Sequence, residues 1–171
     1  CAAESAQLLD EVCGFLKRLA GELGFDFVFK ASFDKANRSS HASRRGPGMV
    51  RALEWFYDLK AKHGVRLLSD VHETVQVAPV AEVCDFLQIP AFLCRQTDLV
   101  VAAARSGRAV NIKKGQFMAP AAMLNIVDKA RAAAKEAPAG PGEVFLTERG
   151  VSFGYGNLVV DMRAFPIMAA S

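Results

Sequence analysis

The strongest constraint in this sequence is a strand–helix alternation that runs along its whole length. Short apolar segments at Phe25–Phe29, Val65–Val71, Asp85–Ile89, Ala109–Ile112 and Val144–Thr147 read as five strands, several of them rich in aromatic and β-branched residues. Helical spacing precedes the first strand. Leu8, Leu9, Val12, Phe15, Leu16, Leu19 and Leu23 predict an amphipathic helix over 5–23, with Glu11, Lys17 and Arg18 off the stripe and Gly24 as its stop. Further helices are expected over Met49–Lys62, Val75–Val83, Asp98–Ser106 and Pro120–Lys135. A last one is expected over Leu158–Ala170, kinked or broken at Pro166. Residues 31–48 lack apolar periodicity and read as a long loop, and Ala137–Gly142 as a flexible connector.

Strands this short and this apolar belong to a parallel α/β sheet covered on both faces. Two architectures fit. A doubly wound open sheet closes with five strands, whereas a TIM barrel needs eight strands and about 250 residues. At 171 residues the length favours the open sheet. Hydrophobic residues at 51% and charged residues at 23% exclude disorder. A net charge of +3 (21 − 18) is too small to argue for nucleic acid or a membrane surface. No apolar run approaches the ~20 residues of a membrane span. Four cysteines without a CxxC pair form no disulfide framework, so a reducing cytoplasm is expected. The chain opens at Cys1 rather than a methionine, and reads as part of a longer polypeptide.

The strand ends carry the chemistry. Lys30, Lys35, Asn37, Arg38, Ser39 and Ser40 follow the first strand, and Asp70, His72 and Glu73 the second. The third ends in Gln88 and Pro90-Ala91, the fourth in Lys113, Lys114 and Gln116, the fifth in Glu148-Arg149-Gly150. A lysine directly after a buried strand needs an anion. Phosphate and carboxylate are the simplest, gripped bidentately by Arg and as a point charge by Lys. The plainer reading pairs these cations with Asp34, Asp70, Glu73 and Glu148; the whole set favours an anionic ligand. No P-loop, GxGxxG or GxSxG is present. Cys13 and Cys84 read as core positions, Cys94 is open, and His63 at a helix end reads as solvated. His72 suits a ligand contact or packing equally.

These strand ends resemble one family. The run Lys30-Ala-Ser-Phe-Asp-Lys-Ala-Asn-Arg-Ser-Ser40 is similar to the signature of the 3-deoxy-D-manno-octulosonate 8-phosphate synthases. So are Arg45-Gly-Pro-Gly48, Ser69-Asp-Val-His-Glu73, the run Gln88–Leu99, Asn111-Ile-Lys-Lys-Gly-Gln-Phe117, Glu148-Arg-Gly150 and the run Phe153–Asp161. The Lys-Ala-Asn-Arg-Ser-Ser motif differs from the Lys-Pro-Arg-Thr type of the relatives that make the seven-carbon product.

The resemblance implies a single (β/α)8 barrel domain, of which the chain would hold strands two to six, in place of the open sheet. It implies a homotetramer that condenses phosphoenolpyruvate with D-arabinose 5-phosphate and releases phosphate, on the route to the Kdo sugar of lipopolysaccharide. Lys113, Arg149 and the backbone at Ala91 would hold the phosphate of phosphoenolpyruvate. Lys30, Lys35 and Gln116 would line its carboxylate and reacting carbon, with Gln88 also counted among the substrate-binding residues. Asn37, Arg38 and Ser39 would hold arabinose 5-phosphate, Asp70 would contact a sugar hydroxyl, and Arg95 would complete a neighbouring subunit's site. Cys1 in Cys-Ala-Ala-Glu-Ser looks like the cysteine of the metal-dependent class. That implies a divalent metal, zinc, iron, manganese or cobalt, whose other ligands would lie beyond Ser171. Two features depart from the family: the histidine of Ser40-His-Ala-Ser-Arg44 is shifted by one, and the Ala137–Gly142 connector is longer. A non-catalytic relative that binds a phosphorylated ligand is the rival expectation.

Overall fold

A computed structural model describes residues 2–170. Five short parallel strands alternate with helices in the order β1-β2-β3-β4-β5, as the sequence predicts. They are β1 (Val28–Lys30), β2 (Arg66–Asp70), β3 (Phe86–Ile89), β4 (Ala109–Lys113) and β5 (Val144–Thr147). The helices are α1 (Ala6–Leu23), α2 (Met49–His63), α3 (Thr74–Val83), α4 (Thr97–Arg105), α5 (Leu124–Ala134) and α6 (Ala164–Ala169). The chain forms two compact units. One runs to Asp70 and includes Pro79–Phe86; the other holds Val71–Ala78 and everything from Leu87 on. Among the described residues, no helix is long and apolar enough to cross a membrane.

In the first unit, Ser5 caps α1 by accepting the Leu8 N–H at 3.2 Å, and Gly24 closes the helix in the left-handed region. The apolar stripe expected from the sequence goes inward only in part, at Leu9. Leu9, Cys13 and Ala20 are buried on the helix, which packs on α2, while Leu8, Val12, Phe15, Leu19 and Leu23 are exposed. Gly14 lies against α2: a Cβ on it would meet the His63 ring at 3.1 Å, so the two helices approach closely there. The Cys13 thiol is pushed up to about 11, first by burial and then by the charge of Asp10. The first strand also starts later than expected. The Phe25 N–H still bonds Ala20 O at 2.8 Å, so Phe25–Phe27 complete the helix exit and β1 begins at Val28. His63 is not solvated: its ring is 16% exposed, with Nε2 2.7 Å from Asp10 Oδ1. Lys62 first, and then His63, hold the Asp10 carboxyl below its usual range. β1 pairs with β2 in parallel register, Phe29 against Leu67 and Lys30 against Leu68. Asp85 fixes the entry of β2 by accepting the Leu67 N–H at 2.8 Å and Lys60 Nζ at 2.6 Å.

In the second unit, β4 and β5 pair in parallel, Asn111 against Phe145 and Lys113 against Thr147. α4 and α5 pack together, and each buries small residues, Ala103 and Ala104 on one and Ala130, Ala133 and Ala134 on the other. Cys94 is buried, as are Cys84 in the first unit and Cys13. The expected helix over Leu158–Ala170 is corrected in its first half. Val151–Phe153 (β6) and Asn157–Val159 (β7) form an antiparallel hairpin across Gly154-Tyr155-Gly156, and α6 begins only at Ala164. Tertiary pairing overrides a helical spacing that is weak on its own.

Loop 34–48 is closed at its base by Phe33 O, which accepts the Gly48 N–H at 3.3 Å. Gly46 sits there at φ +139, and a Cβ on it would lie 2.5 Å from Phe33 O. Gly46→Ala should therefore cost about 1–3 kcal/mol of stability through backbone strain, read as a lowered urea midpoint.

Candidate functional site

The first set of polar side chains gathers where β1 and β2 end. Ser32 is fully buried just past β1. Lys35 Nζ donates to its Oγ at 2.8 Å and Lys30 Nζ at 3.4 Å. Asp70, the last residue of β2, brings Oδ1 to 3.9 Å from Lys30 Nζ. Two predicted site residues, Lys30 and Lys35, thus meet at a hydroxyl that sequence reasoning missed, and a third, Asp70, joins them through Lys30. Its signal was there: Ser32 sits two residues beyond Lys30, the same side of an extended chain. Ala3 N–H donates to Ser32 O at 2.9 Å, and Ala2 bridges Ser32 in parallel. The chain segment directly after Cys1 therefore lies along the end of β1. Cys1 itself is outside the described residues.

Asn37, Arg38 and Ser39 stand exposed on the loop that follows. Its ends are tied. Lys35 N–H donates to Arg45 O at 2.7 Å, and the Arg45 guanidinium grips Asp34, with Nε at 2.8 Å from Oδ1. Asp34 thus takes Arg45 as partner, a pairing that the expectation of cation–carboxylate pairs did not specify. The loop presents its polar side chains from a closed frame rather than a free strand end.

The second set lies past β3, β4 and β5. Gln88 is buried, and its Oε1 is 3.4 Å from Asn111 Nδ2. Thr147 Oγ1 donates to Asn111 Oδ1 at 2.7 Å. Gln88 is accordingly one end of a three-residue polar ladder, with Asn111 and Thr147 as members that sequence reasoning missed. Ala91 is buried at the start of a 3-10 turn, and Arg95 is exposed beyond it. Lys113 ends β4 half-buried. Lys114 is not a rim cation: it is fully buried, 3.6 Å from Glu148 Oε2. Gln116 is 9% exposed, and its Oε1 is buried with no hydrogen-bond partner among the described residues. Arg149 is exposed between the buried Glu148 side chain and Gly150. Among the described residues no group of three His, Cys, Asp or Glu side chains is placed to hold a metal ion.

Parallel strands whose C-terminal ends carry Lys30, Asp70, Gln88 and Lys113 define a (β/α) protein with its polar machinery at the strand ends. The chain belongs to the DAHP synthetase I family, which it matches over residues 1–171. The family fold is the TIM barrel, and the five strands form part of one. Among curated relatives, the 2-dehydro-3-deoxyphosphooctonate aldolase of Polaromonas sp. (strain JS666 / ATCC BAA-500) is 54% identical over 168 residues, 98% of this chain and 59% of the relative. That of Albidiferax ferrireducens is 55% identical over 168 residues, with the same coverage. That of Cupriavidus necator is 56% identical over 169 residues, 98% of this chain and 58% of the relative. The chain spans about three fifths of the length of these relatives.

The Arg45–Asp34 pair is solvent-facing on the arginine side, which limits its worth to ~1 kcal/mol. Arg45→Met should raise trypsin cleavage after Arg38 and Arg44 by about fivefold at most, measured by mass spectrometry under native conditions.

Proposed function

We propose that this chain carries much of the site of a synthase that joins phosphoenolpyruvate to D-arabinose 5-phosphate. The products are 3-deoxy-D-manno-octulosonate 8-phosphate and inorganic phosphate. The observation that carries this reading is the cluster on Ser32, in a chain more than half identical to relatives that bear the aldolase name. Lys35 commits one of its three donors to Ser32 and keeps two for an anion. Lys30, Lys35 and Gln116 surround the carboxylate and reacting carbon of phosphoenolpyruvate. Lys113, Arg149 and the Ala91 backbone hold its phosphate. Asn37, Arg38 and Ser39 hold arabinose 5-phosphate, and Asp70 takes a sugar hydroxyl. Gln88 supports the substrate through its ladder to Asn111.

The methylene carbon of phosphoenolpyruvate bonds to the aldehyde carbon, and the aldehyde oxygen gains a proton. Water adds at the carbon that bears the phosphate. The bond from that carbon to the phosphate oxygen then breaks, and phosphate leaves. Fixed cations steady the anionic charge at each stage without reorganising.

The reading includes a divalent metal (zinc, iron, manganese or cobalt) with Cys1 as one ligand. Support comes from the Cys1-Ala-Ala-Glu-Ser5 run and from Ala2 lying beside Ser32 at the strand end. The metal would orient the aldehyde or activate water. A tetramer in which Arg95 reaches the next subunit, and a cytoplasmic setting, complete the proposal.

The test is phosphate release from phosphoenolpyruvate by the protein as the cell makes it, with arabinose 5-phosphate or erythrose 4-phosphate, each with and without chelator. Release that needs arabinose 5-phosphate and stops with chelator is expected. Absence of release with arabinose 5-phosphate would overturn the synthase, and release indifferent to chelator would overturn the metal.

A further inference from the structure

Lys114 is fully buried, and simple packing does not explain it. Its Nζ lies 3.1 Å from Gly150 O, 3.3 Å from Gly115 O and 3.4 Å from Met118 O, with Glu148 Oε2 at 3.6 Å. Glu148 is 3% exposed, and its Oε1 accepts the Gly150 N–H. An ammonium has three protons to give, and here the acceptors come from two separate loops. One loop follows β4 and holds Gly115 to Met118. The other follows β5 and holds Glu148 to Gly150. Burial of this charge is costly unless geometry and partners compensate. An apolar side chain of equal volume would take the ammonium from Glu148 Oε2 and from three carbonyls; Glu148 Oε1 would keep the Gly150 N–H and Gly115 O the Met118 N–H. A second tie joins the same region: Ser152 N–H donates to Gln116 O at 3.0 Å.

We propose that Lys114 is a positioning residue. Its ammonium fastens the β4 loop to the β5 loop, and so sets the spacing between Lys113 and Gln116 on one and Arg149 on the other. The functional consequence rests on the synthase reading of those three residues; the fastening itself does not. Phosphoenolpyruvate is the ligand affected, because Lys113 and Arg149 must close on one phosphate from two different strands. A misplacement of about 1 Å between two such groups costs on the order of a hundredfold in rate.

The experiment compares Lys114→Met and Glu148→Gln with the parent, each as the full protein and each checked for folding by circular dichroism. Two readouts are taken. Amide hydrogen exchange should rise about tenfold at Gly115–Met118 and at Gly150–Ser152 together, because one bond set holds both. In steady-state kinetics the KM for phosphoenolpyruvate should rise about tenfold or more in Lys114→Met, with the KM for arabinose 5-phosphate unchanged. Glu148→Gln keeps the side-chain shape and should shift the same parameters in the same direction by a smaller factor. If Lys114→Met does not fold, Glu148→Gln decides. Loosening of one loop alone, or of neither, would overturn the fastening. Loosening of both loops with an unchanged KM for phosphoenolpyruvate would overturn the positioning role. A parent protein that ignores phosphoenolpyruvate would sink the synthase reading, and the exchange data would still settle the fastening.

Discussion

A strand packed on both sides can hold charged side chains only at its ends, and polar ones inside it only where they pair with each other, as Gln88 and Asn111 do. This constraint organises the chain. β3 is buried from Leu87 to Ile89, and β4 alternates buried Val110 and Ile112 with part-buried neighbours. Charge is therefore pushed to the last residue or just past it, as with Lys30, Asp70 and Lys113. Parallel pairing then puts those ends on the same side of the paired strands, since all run in one direction. The polar machinery is a consequence of where burial ends, and only its details need a specific sequence.

Those details depend on hydrogen bonds that hold side chains against their own entropy. Ser32 is a small residue with a large effect. It is fully buried, it receives two lysines, and its backbone oxygen ties down the chain at Ala3. The loop after it is fixed at both ends by Lys35, Arg45 and Gly48, while its middle is exposed. A loop with a closed frame can meet a ligand at a lower ordering cost than a free one, because the freedom of its ends is already spent.

Much of this was legible in the sequence. The five strands were found because apolar runs bounded by glycine, proline and polar clusters are local signals. The nearness of Lys30, Lys35 and Asp70 is legible because they stand at or just past the ends of neighbouring strands. What failed depended on pairing. In α1 large apolar residues run round more than one face, and periodicity cannot say which part goes inward; Leu9, Cys13 and Ala20 are the ones buried. The hairpin of β6 and β7 is not among the expected strands although Gly154 and Gly156 mark its turn, and the helix expected from Leu158 overlaps the end of β7. Asn111 and Thr147 looked like ordinary strand residues until the β4–β5 register set them within reach.

Lys113 and Lys114 show the limit most sharply. They are the same residue in adjacent positions; the strand's alternation sets Lys114 on the side of buried Val110 and Ile112, but no local signal says what would accept a buried charge there. Lys113 ends a strand half-buried, while Lys114 is sealed from solvent. The difference is made by residues 34 to 36 positions away, Glu148 and Gly150, which the sheet brings to Lys114. A buried lysine is tolerated only where every proton finds an acceptor, so the two loops and the lysine specify one another. A charge that the sequence places among the strand-end cations is spent on joining two loops, directly beside Lys113.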